Sequence, residues 1–178
     1  MGKQYKKLTT KHKEFIKSQK LFFMASSSDA EVNLSPKGYD SIRVLNDFEV
    51  IYLDYPGSGN RTARDIENGG GVTLMFNAFE GDPQILRLFC KGKIIKKEDE
   101  QFLNYLKLFN IESLAVRQLF KFDIYAVESS CGEAVPVMRF DHERKSLKEW
   151  AKNMAIKGTL EKYISDHHVP VDLNNIEQ

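Results

Sequence analysis

Short stretches in which hydrophobic and polar residues alternate run through most of the chain. Such alternation is typical of β-strands that bury one face, and short unbroken apolar runs are typical of strands that bury both. Glycine, proline, asparagine and aspartate cluster between these stretches and mark turns. The pattern predicts strands over Leu21–Ala25, Glu31–Leu34, Val50–Asp54, Val72–Phe79, Ile85–Ile95 and a stretch in which Phe120, Phe122, Ile124 and Ala126 share the buried face.

Helical periodicity is confined to a few short segments. Thr9 or Thr10 can cap a helix that runs to Gln19, and Asn60 opens one that ends at Asn68, before three glycines. Apolar residues recur at spacings of three and four within Glu98–Asn110, and a charged helix is predicted over Lys145–Ser165, with the last dozen residues frayed. Strands without regularly alternating long helices favour a mainly β, antiparallel barrel with short flanking helices.

Composition supports one domain and excludes several classes of partner. The chain has 178 residues, of which 42% are hydrophobic, so it can bury a full core. We expect a single domain over 1–178, with a barrel core at about 21–136 and a helical extension at about 143–178. The 26 Lys and Arg nearly balance 25 Asp and Glu, so the net charge of +1 predicts neither a nucleic-acid nor a membrane partner.

Other sequence features point to the cytoplasm. No apolar run approaches the roughly 18 residues that span a membrane, and none has the form of a signal peptide. Only Cys90 and Cys131 are present, too few for a disulfide framework. The four histidines lie in charged stretches outside the predicted strands, so we expect surface histidines and no metal site.

The segment Gly57-Ser58-Gly59-Asn60-Arg61-Thr62 follows a strand and opens a helix. Glycines allow close backbone approach to a phosphate, while Asn60, Arg61 and Thr62 add hydrogen-bond donors. A dinucleotide fingerprint needs a third glycine where Thr62 stands, and a Walker loop needs Gly-Lys-Ser/Thr, so neither motif fits. An ordinary glycine-rich turn with an Asn cap explains the segment equally well.

Two further segments carry isolated cations. Asn33-Leu34-Ser35-Pro36-Lys37-Gly38 ends a strand in a turn that presents a hydroxyl and an ammonium group together, although a solvated turn lysine also fits. Arg87 lies inside an apolar strand, where an arginine is seldom buried without an anionic partner. That partner is a phosphate, several carbonyl groups, or a carboxylate, for which Asp54 and Glu80 are the candidates.

Taken together, five segments resemble the pyridoxamine 5′-phosphate oxidase-like family of FMN-binding split barrels. The resemblance spans about Phe22 to Pro136, and Ser130–Pro136 is similar to the downstream signature of one uncharacterised branch. The segments are Asn33–Gly38, Arg43–Leu45, Gly57–Thr62, Thr73–Gly81 and Ile85–Leu88.

The resemblance implies a six-stranded split barrel that forms a homodimer, with flavin mononucleotide (FMN) bound at the interface. It places Lys37 near the isoalloxazine ring, Leu53 and Asp54 along the flavin, and Asn60 to Thr62 at the phosphate. Arg87 stands where the oxidase itself has glutamine. The residues it implies for cofactor binding are Ser35, Lys37, Leu53, Asp54, Gly59, Asn60, Arg61, Thr62 and Arg87.

The chain departs from the true oxidase at its C-terminus. The oxidase ends in a Trp- and Arg-containing segment that binds pyridoxal phosphate, whereas Val169–Gln178 contains neither residue. The resemblance therefore implies an FMN-dependent oxidoreductase acting on an unidentified small molecule, not vitamin B6 oxidation. The alternatives are a non-catalytic flavin- or haem-binding or sensing module and, more remotely, a deazaflavin protein.

Overall fold

The computed structural model describes residues 2–111 and 115–169, and within them the fold is mainly β. The helices are α1 (Thr10–Ser18), α2 (Arg61–Glu67), α3 (Phe102–Leu106, followed by a 3-10 turn at Lys107–Phe109), α4 (Ser146–Ile156) and α5 (Leu160–Asp166). The strands are β1 (Lys3–Tyr5), β2 (Phe22–Ser27), β3 (Asn33–Lys37), β4 (Ile42–Val44), β5 (Glu49–Asp54), β6 (Gly71–Asn77), β7 (Ile85–Ile95) and β8 (Gln118–Ser130).

All the strand pairs are antiparallel, and the sheet curls into a split barrel in the order β3-β2-β6-β7-β8-β5-β4. The long strand β8 organises this sheet. One of its edges pairs with β7 between Leu119 and Ser130, while the other pairs first with β5 and then with β1. The two strands that the sequence pattern does not predict, β1 and β4, have three residues each, which is too short for alternation to be recognised.

A β-bulge in β8 changes which residues face the core. Phe89 is opposite Ala126 and Cys90 is opposite Ile124, so Tyr125 is the extra residue. Before the bulge Phe122 and Ile124 are buried, but after it Val127 takes the buried position. The prediction that Ala126 faces the core is therefore wrong, because the bulge shifts the alternation by one residue.

The strand β5 is buried on both faces because a hydrophobic cluster lies on each side of the sheet. Val50 and Tyr52 face the main cluster inside the barrel. Ile51 and Leu53 face a second cluster, which packs β5 and β8 against α3 and its 3-10 turn. This explains why the sequence of β5 is a continuous apolar run and does not alternate between apolar and polar residues.

Outer-facing side chains of four neighbouring strands form two rows across the sheet. The register aligns Phe23, Met75, Arg87 and Glu128 in one row, and Ala25, Thr73, Phe89 and Ala126 in the next. All eight are partly exposed. This outer face is therefore largely apolar, with one ion pair in its first row.

The helices are shorter than the sequence predicts. The segment expected to be helical from Glu98 to Asn110 forms only α3 and the 3-10 turn, which ends at Asn110 in the left-handed conformation. Gly158, with a φ of 69°, divides the predicted C-terminal helix into α4 and α5. The prediction for the last dozen residues falls largely outside the described part of the chain. No helix in the described part is both long and apolar enough to cross a membrane.

One histidine is buried, contrary to the expectation of surface histidines. His12 is 5% exposed, and burial lowers the pKa of its imidazole. Its backbone N–H donates to Thr9 Oγ1, and its Nδ1 accepts from the Thr9 backbone N–H, both at 3.3 Å. The two residues form a capping box at the start of α1. The second residue of a capping box is usually glutamate or glutamine, and here it is a histidine.

Gly70 allows α2 to pack against the end of β2, and we predict that this position tolerates no side chain. A Cβ atom at residue 70 would lie 2.4 Å from the Ser27 carbonyl oxygen and 2.7 Å from that of Asp65. Because both contacts are to backbone, Gly70→Ala is expected to reduce the free energy of unfolding by about 1–3 kcal/mol in urea titrations. The neighbouring Gly71→Ala is the control, since nothing lies within 4 Å of its Cβ position. Equal unfolding midpoints for the two variants would contradict this prediction.

Candidate functional site

A cavity of about 450 Å³ lies between β3, β5 and the loop that joins β5 to α2. Small-molecule sites usually have volumes of about 300–1,000 Å³. The walls combine backbone from the glycine-rich loop with the cationic side chains Lys37, Arg61 and Arg117. The cavity is therefore suited in size and charge to a small anionic ligand.

Seven of the nine residues predicted to bind the cofactor line this cavity: Ser35, Lys37, Asp54, Gly59, Asn60, Arg61 and Thr62. Leu53 does not, because its side chain points to the opposite face of β5 and is buried in the second hydrophobic cluster. Arg87 lies on the outer face of the sheet instead. Its Nη1 is 3.2 Å from Glu128 Oε1, so the carboxylate that pairs with it is neither of those anticipated, Asp54 or Glu80.

Side chains from β3 form one wall. Asn33, Ser35 and Lys37 point inwards at every second position, whereas Leu34 points out and is 64% exposed. Pro36 is tolerated because β3 is an edge strand, which leaves one row of backbone groups unpaired. Because of this alternation, a single strand places an amide, a hydroxyl and an ammonium group in the cavity wall.

Lys37 is a desolvated cation at the end of this wall. Its Nζ lies 5.6 Å from the centre of the Tyr52 ring, and within the described residues it makes no salt bridge. Burial lowers the pKa of Lys37, while the nearby Asp54 carboxylate raises it and Arg117 lowers it. A lysine in this state gains from an additional negative charge close to its ammonium group.

A buried ion pair joins the end of β5 to the start of β8. Arg117 Nε donates to Asp54 Oδ2 at 2.8 Å, and the two side chains are 7% and 3% exposed. The same oxygen accepts from Gln118 Nε2 at 2.9 Å, while Oδ1 lies 3.4 Å from the Tyr52 hydroxyl. Burial first, and then Asp54, raises the pKa of Tyr52 well above its usual value, which keeps its hydroxyl protonated.

Arg117 and Gln118, at the start of β8, also position the glycine-rich loop. Arg117 Nη1 donates to the Gly59 carbonyl oxygen at 2.9 Å, and Gln118 Nε2 donates to Asn60 Oδ1 at 2.7 Å. Asn60 uses no side-chain bond to cap α2 and is instead held from the side of the sheet. Asp54 thus acts through two neighbours to place the loop that forms one wall of the cavity.

A second polar network holds the first turn of α2. Asn33 Nδ2 donates to Thr62 Oγ1 at 3.0 Å and to Ser26 Oγ at 3.1 Å. Ser26 Oγ in turn donates at 2.6 Å to Asp65 Oδ2, and the Asp65 side chain is fully buried. The network links β2, β3 and α2, so Thr62 is held in place on the cavity wall.

Arg61 lines the cavity and is also bound on its other side. Its Nη1 lies 2.6 Å from Glu31 Oε2, and Arg64 Nη1 lies 3.1 Å from the same oxygen. Arg64 Nη2 also lies 2.7 Å from Asp65 Oδ1, so two carboxylates face the two guanidinium groups. Arg61 is therefore held in place by charges of the protein itself where it lines the cavity.

Gly57 and Gly59 have no structural requirement to be glycine. Neither has a φ in the left-handed region, and nothing lies within 4 Å of the Cβ position of either residue. Both line the cavity. A residue without a side chain at these points leaves room for a ligand to approach the backbone closely.

Aromatic side chains and α4 form the rim. Tyr39 and Tyr55 contact each other edge to face at 5.7 Å, and Lys148 Nζ lies 4.4 Å above the Tyr39 ring. Leu147, from the same helix as Lys148, lines the cavity directly. Tyr39 has a φ of 67°, an unusual conformation for a residue with a side chain.

Arg117 and Gln118 are the residues that sequence reasoning missed. They precede Phe120, where the predicted strand begins, although β8 itself starts at Gln118. The sequence did contain a signal for Arg117, because this residue is adjacent to Val116 and close to Leu119. An arginine flanked by apolar residues requires a partner, the argument already applied to Arg87.

Comparison with known proteins identifies similar chains. A family model described as pyridoxamine 5′-phosphate oxidase matches residues 8–131. The pyridoxamine 5′-phosphate oxidase family protein ustO of Aspergillus flavus is 35% identical over 139 residues, which cover 75% of this chain and 56% of the relative. The chain thus spans little more than half the length of that relative.

Two solved structures share the fold. A candidate pyridoxamine 5′-phosphate oxidase from Lactobacillus delbrueckii has a TM-score of 0.56 and 19% identity, covering 69% of this chain and 94% of that one. HupZ from Group A Streptococcus has a TM-score of 0.52 and 21% identity, covering 66% of this chain and 89% of that one. At these identities the likeness concerns the fold alone.

Removing Arg117 is expected to destabilise the protein strongly. Arg117→Ala leaves the Asp54 carboxylate buried without its ion-pair partner, which costs about 3–5 kcal/mol of unfolding free energy. The control is Lys7→Ala, which removes one side of the more exposed Lys7–Asp47 pair and is expected to cost at most about 1 kcal/mol. Urea unfolding followed by circular dichroism measures both. If Arg117→Ala reduces the unfolding free energy no more than Lys7→Ala does, the Asp54–Arg117 pair does not stabilise this part of the fold.

Proposed function

Because this chain belongs to the pyridoxamine 5′-phosphate oxidase family, we propose that it is a cytoplasmic flavoprotein that binds FMN in the cavity beside Lys37 and Arg61. We further propose that it acts as an FMN-dependent oxidoreductase on a small molecule. Membership of the family does not by itself determine the reaction, so the argument rests on the residues that line the cavity.

The observation that carries the proposal is the glycine-rich wall. Gly57 and Gly59 have no packing or conformational reason to lack a side chain, and they stand beside Arg61 and Thr62. Close backbone approach combined with cationic and hydroxyl donors suits a phosphate group. We assign this end of the cavity to the FMN phosphate.

The opposite end supplies what a flavin ring requires. Bound FMN would supply a group that accepts or donates a hydride. Lys37, whose pKa is lowered by burial and which makes no salt bridge among the described residues, would stabilise the negative charge of the reduced ring. Ser35, two residues before this lysine on the same strand, lines the cavity and offers a hydroxyl for hydrogen bonding.

The cavity residues favour chemistry that depends on the cofactor alone. Asp54 is the only carboxylate among the described residues lining the cavity, and Arg117 and Gln118 both bond to its Oδ2. It therefore positions the loop and does not serve as a general base. Hydride transfer needs no base from the protein, which is consistent with an oxidoreductase. The same observation supports the second candidate, a flavin- or haem-binding module without turnover.

The absorbance spectrum of the purified protein tests the cofactor assignment. Flavin bands, or FMN titration that quenches flavin fluorescence and raises the melting temperature, are the expected result. A colourless protein that FMN neither binds nor stabilises would eliminate the proposal, and a haem spectrum would favour the second candidate. Steady oxidation of NADH or NADPH by the FMN-loaded protein separates an enzyme from a binding module.

The glycine-rich wall predicts a variant that loses FMN without losing stability. Gly59→Ala places a methyl group in the cavity wall, where no protein atom lies within 4 Å, so the unfolding midpoint is expected to stay unchanged. FMN affinity is expected to fall about tenfold, equivalent to the loss of one charge-assisted hydrogen bond to the phosphate. Gly71→Ala, outside the cavity, is the matched control. Unchanged FMN affinity in Gly59→Ala would refute the phosphate assignment.

We also propose that the protein is a homodimer with FMN at the interface. The apolar outer face, which includes Phe23, Met75 and Phe89, supports this arrangement because it is partly exposed over four strands. Arg87 lies within that face. A partner packed there would bring Arg87, which does not line the cavity of its own chain, close to the other subunit.

Sedimentation velocity tests the dimer. The wild-type protein is expected to sediment as a species of twice the 20.5 kDa mass of one chain. Phe89→Glu is expected to produce monomers, because it places a charge in the apolar face. The control is Ile156→Glu, which changes an exposed residue of α4. A wild-type protein found only as a 20.5 kDa species would disprove the dimer.

A further inference from the structure

The C-terminal helices α4 and α5 lie at the rim of the cavity that we assign to FMN. Leu147 of α4 lines the cavity. The next residue, Lys148, places its Nζ 4.4 Å from the centre of the Tyr39 ring and 5.8 Å from that of the Tyr55 ring. Both tyrosines also line the cavity. The family model ends at residue 131, so membership of the family assigns no role to these two helices.

The two helices are held to each other and form one unit. The Trp150 ring on α4 contacts the Tyr163 ring on α5 edge to face at 4.8 Å. In the turn between the helices, the backbone N–H and the hydroxyl of Thr159 both donate to the Met154 carbonyl oxygen, at 3.0 and 3.3 Å. We call this unit, residues 146–166, the helical cover.

The polar contacts between the helical cover and the barrel are exposed or long. Lys97, just after β7, pairs with Glu161 at 2.5 Å, but the Glu161 side chain is 72% exposed, so water screens the pair. Beyond α5, Asn60 Nδ2 lies 3.3 Å from His168 Nδ1. The contact of Lys148 with the two tyrosines is therefore the polar attachment that lies at the cavity itself.

The helical cover also contributes little to the apolar core. Ala151 and Leu160 are its only buried residues, and neither belongs to the two hydrophobic clusters of the barrel. Residues 141–145, which lead into α4, are all exposed and form no helix or strand. Elements with few buried apolar contacts open at a lower free energy than the core does. The helical cover can therefore leave the rim while the barrel stays folded.

We propose that the helical cover opens and closes over the flavin cavity, and that Lys148, placed against Tyr39 and Tyr55, holds it closed. The proposal rests on the FMN function proposed above. Closure shields the cavity from water, while opening gives FMN a path in and out. A partly exposed contact between a cation and an aromatic ring is weak enough to break and re-form at each opening. The carboxylate nearest to Lys148, Glu143 at 3.5 Å, lies in the segment that leads into α4 and does not attach the cover to the barrel.

Stopped-flow measurement of FMN exchange tests the proposal. Lys148→Gln removes the charge and keeps a side chain of similar length. It is expected to raise both the association and the dissociation rate constants of FMN about fivefold, the factor that one partly exposed cation–aromatic contact contributes to closure. Lys157→Gln, at the exposed C-terminal end of the same helix, is the control and is expected to leave both rate constants unchanged.

The two rate constants together distinguish a cover from a simple contact with the cofactor. If Lys148→Gln changes neither rate constant, the proposal is overturned. It is equally overturned if dissociation becomes faster while association stays the same, because that pattern indicates a lost contact with bound FMN and no barrier to its entry.

Proteolysis of the FMN-free protein measures opening without the cofactor. Thermolysin cleaves beside large apolar residues, of which α4 contains Leu147, Met154 and Ile156. Cleavage within a packed helix requires the helix to detach first, so its rate follows the population of the open form. Mass spectrometry is expected to show removal of the helical cover about fivefold faster in Lys148→Gln than in the wild type, and no change in Lys157→Gln. Equal rates for the three proteins would contradict the role of Lys148.

The two measurements also separate this proposal from the flavin assignment. A protein that binds no FMN, but in which Lys148→Gln speeds removal of the helical cover, would retain the cover and remove the flavin assignment. A protein that binds FMN, but in which Lys148→Gln changes neither FMN exchange nor proteolysis, would retain the flavin assignment and remove the cover.

Discussion

The buried ion pair between Asp54 and Arg117 is the interaction on which the candidate site depends. It places two opposite charges in an environment where neither is stable alone, so each holds the other in position. Through Arg117 and Gln118, it also fixes the loop that carries Gly59 and Asn60. Arg61 and Arg117 are thus both paired with carboxylates of the protein, whereas Lys37 is the cavity cation that makes no salt bridge among the described residues.

Much of the fold was accessible from the sequence because local patterns determine it. The strand predicted over Ile85–Ile95 has the bounds of β7, and the left-handed residue expected after Asn68 is Gly69, with a φ of 75°. The errors arose where tertiary contacts override local pattern. The bulge at Tyr125 reverses the facing of Ala126, and the alternation of β8 up to Ile124 contains no sign of it.

The site itself was predictable in part for a related reason. Ser35 and Lys37 lie at alternate positions of a strand, and Gly59 to Thr62 are contiguous, so proximity within each segment follows from the sequence. Their convergence in space, and the role of Arg117 in arranging it, depend on the pairing of β5 with β8. Arg87 illustrates the limit, since an apolar sequence context predicts a partner but does not identify Glu128 as that partner.

Because β5 is covered on both faces, it connects the cavity on one side of the sheet to the hydrophobic cluster around α3 on the other side. Tyr52 and Asp54 face the cavity, while the intervening Leu53 is held by the cluster around α3. A change in the packing of α3 would move the backbone that carries both cavity residues. Substitutions in that outer helix would therefore change the shape of the pocket while every residue lining it stays the same.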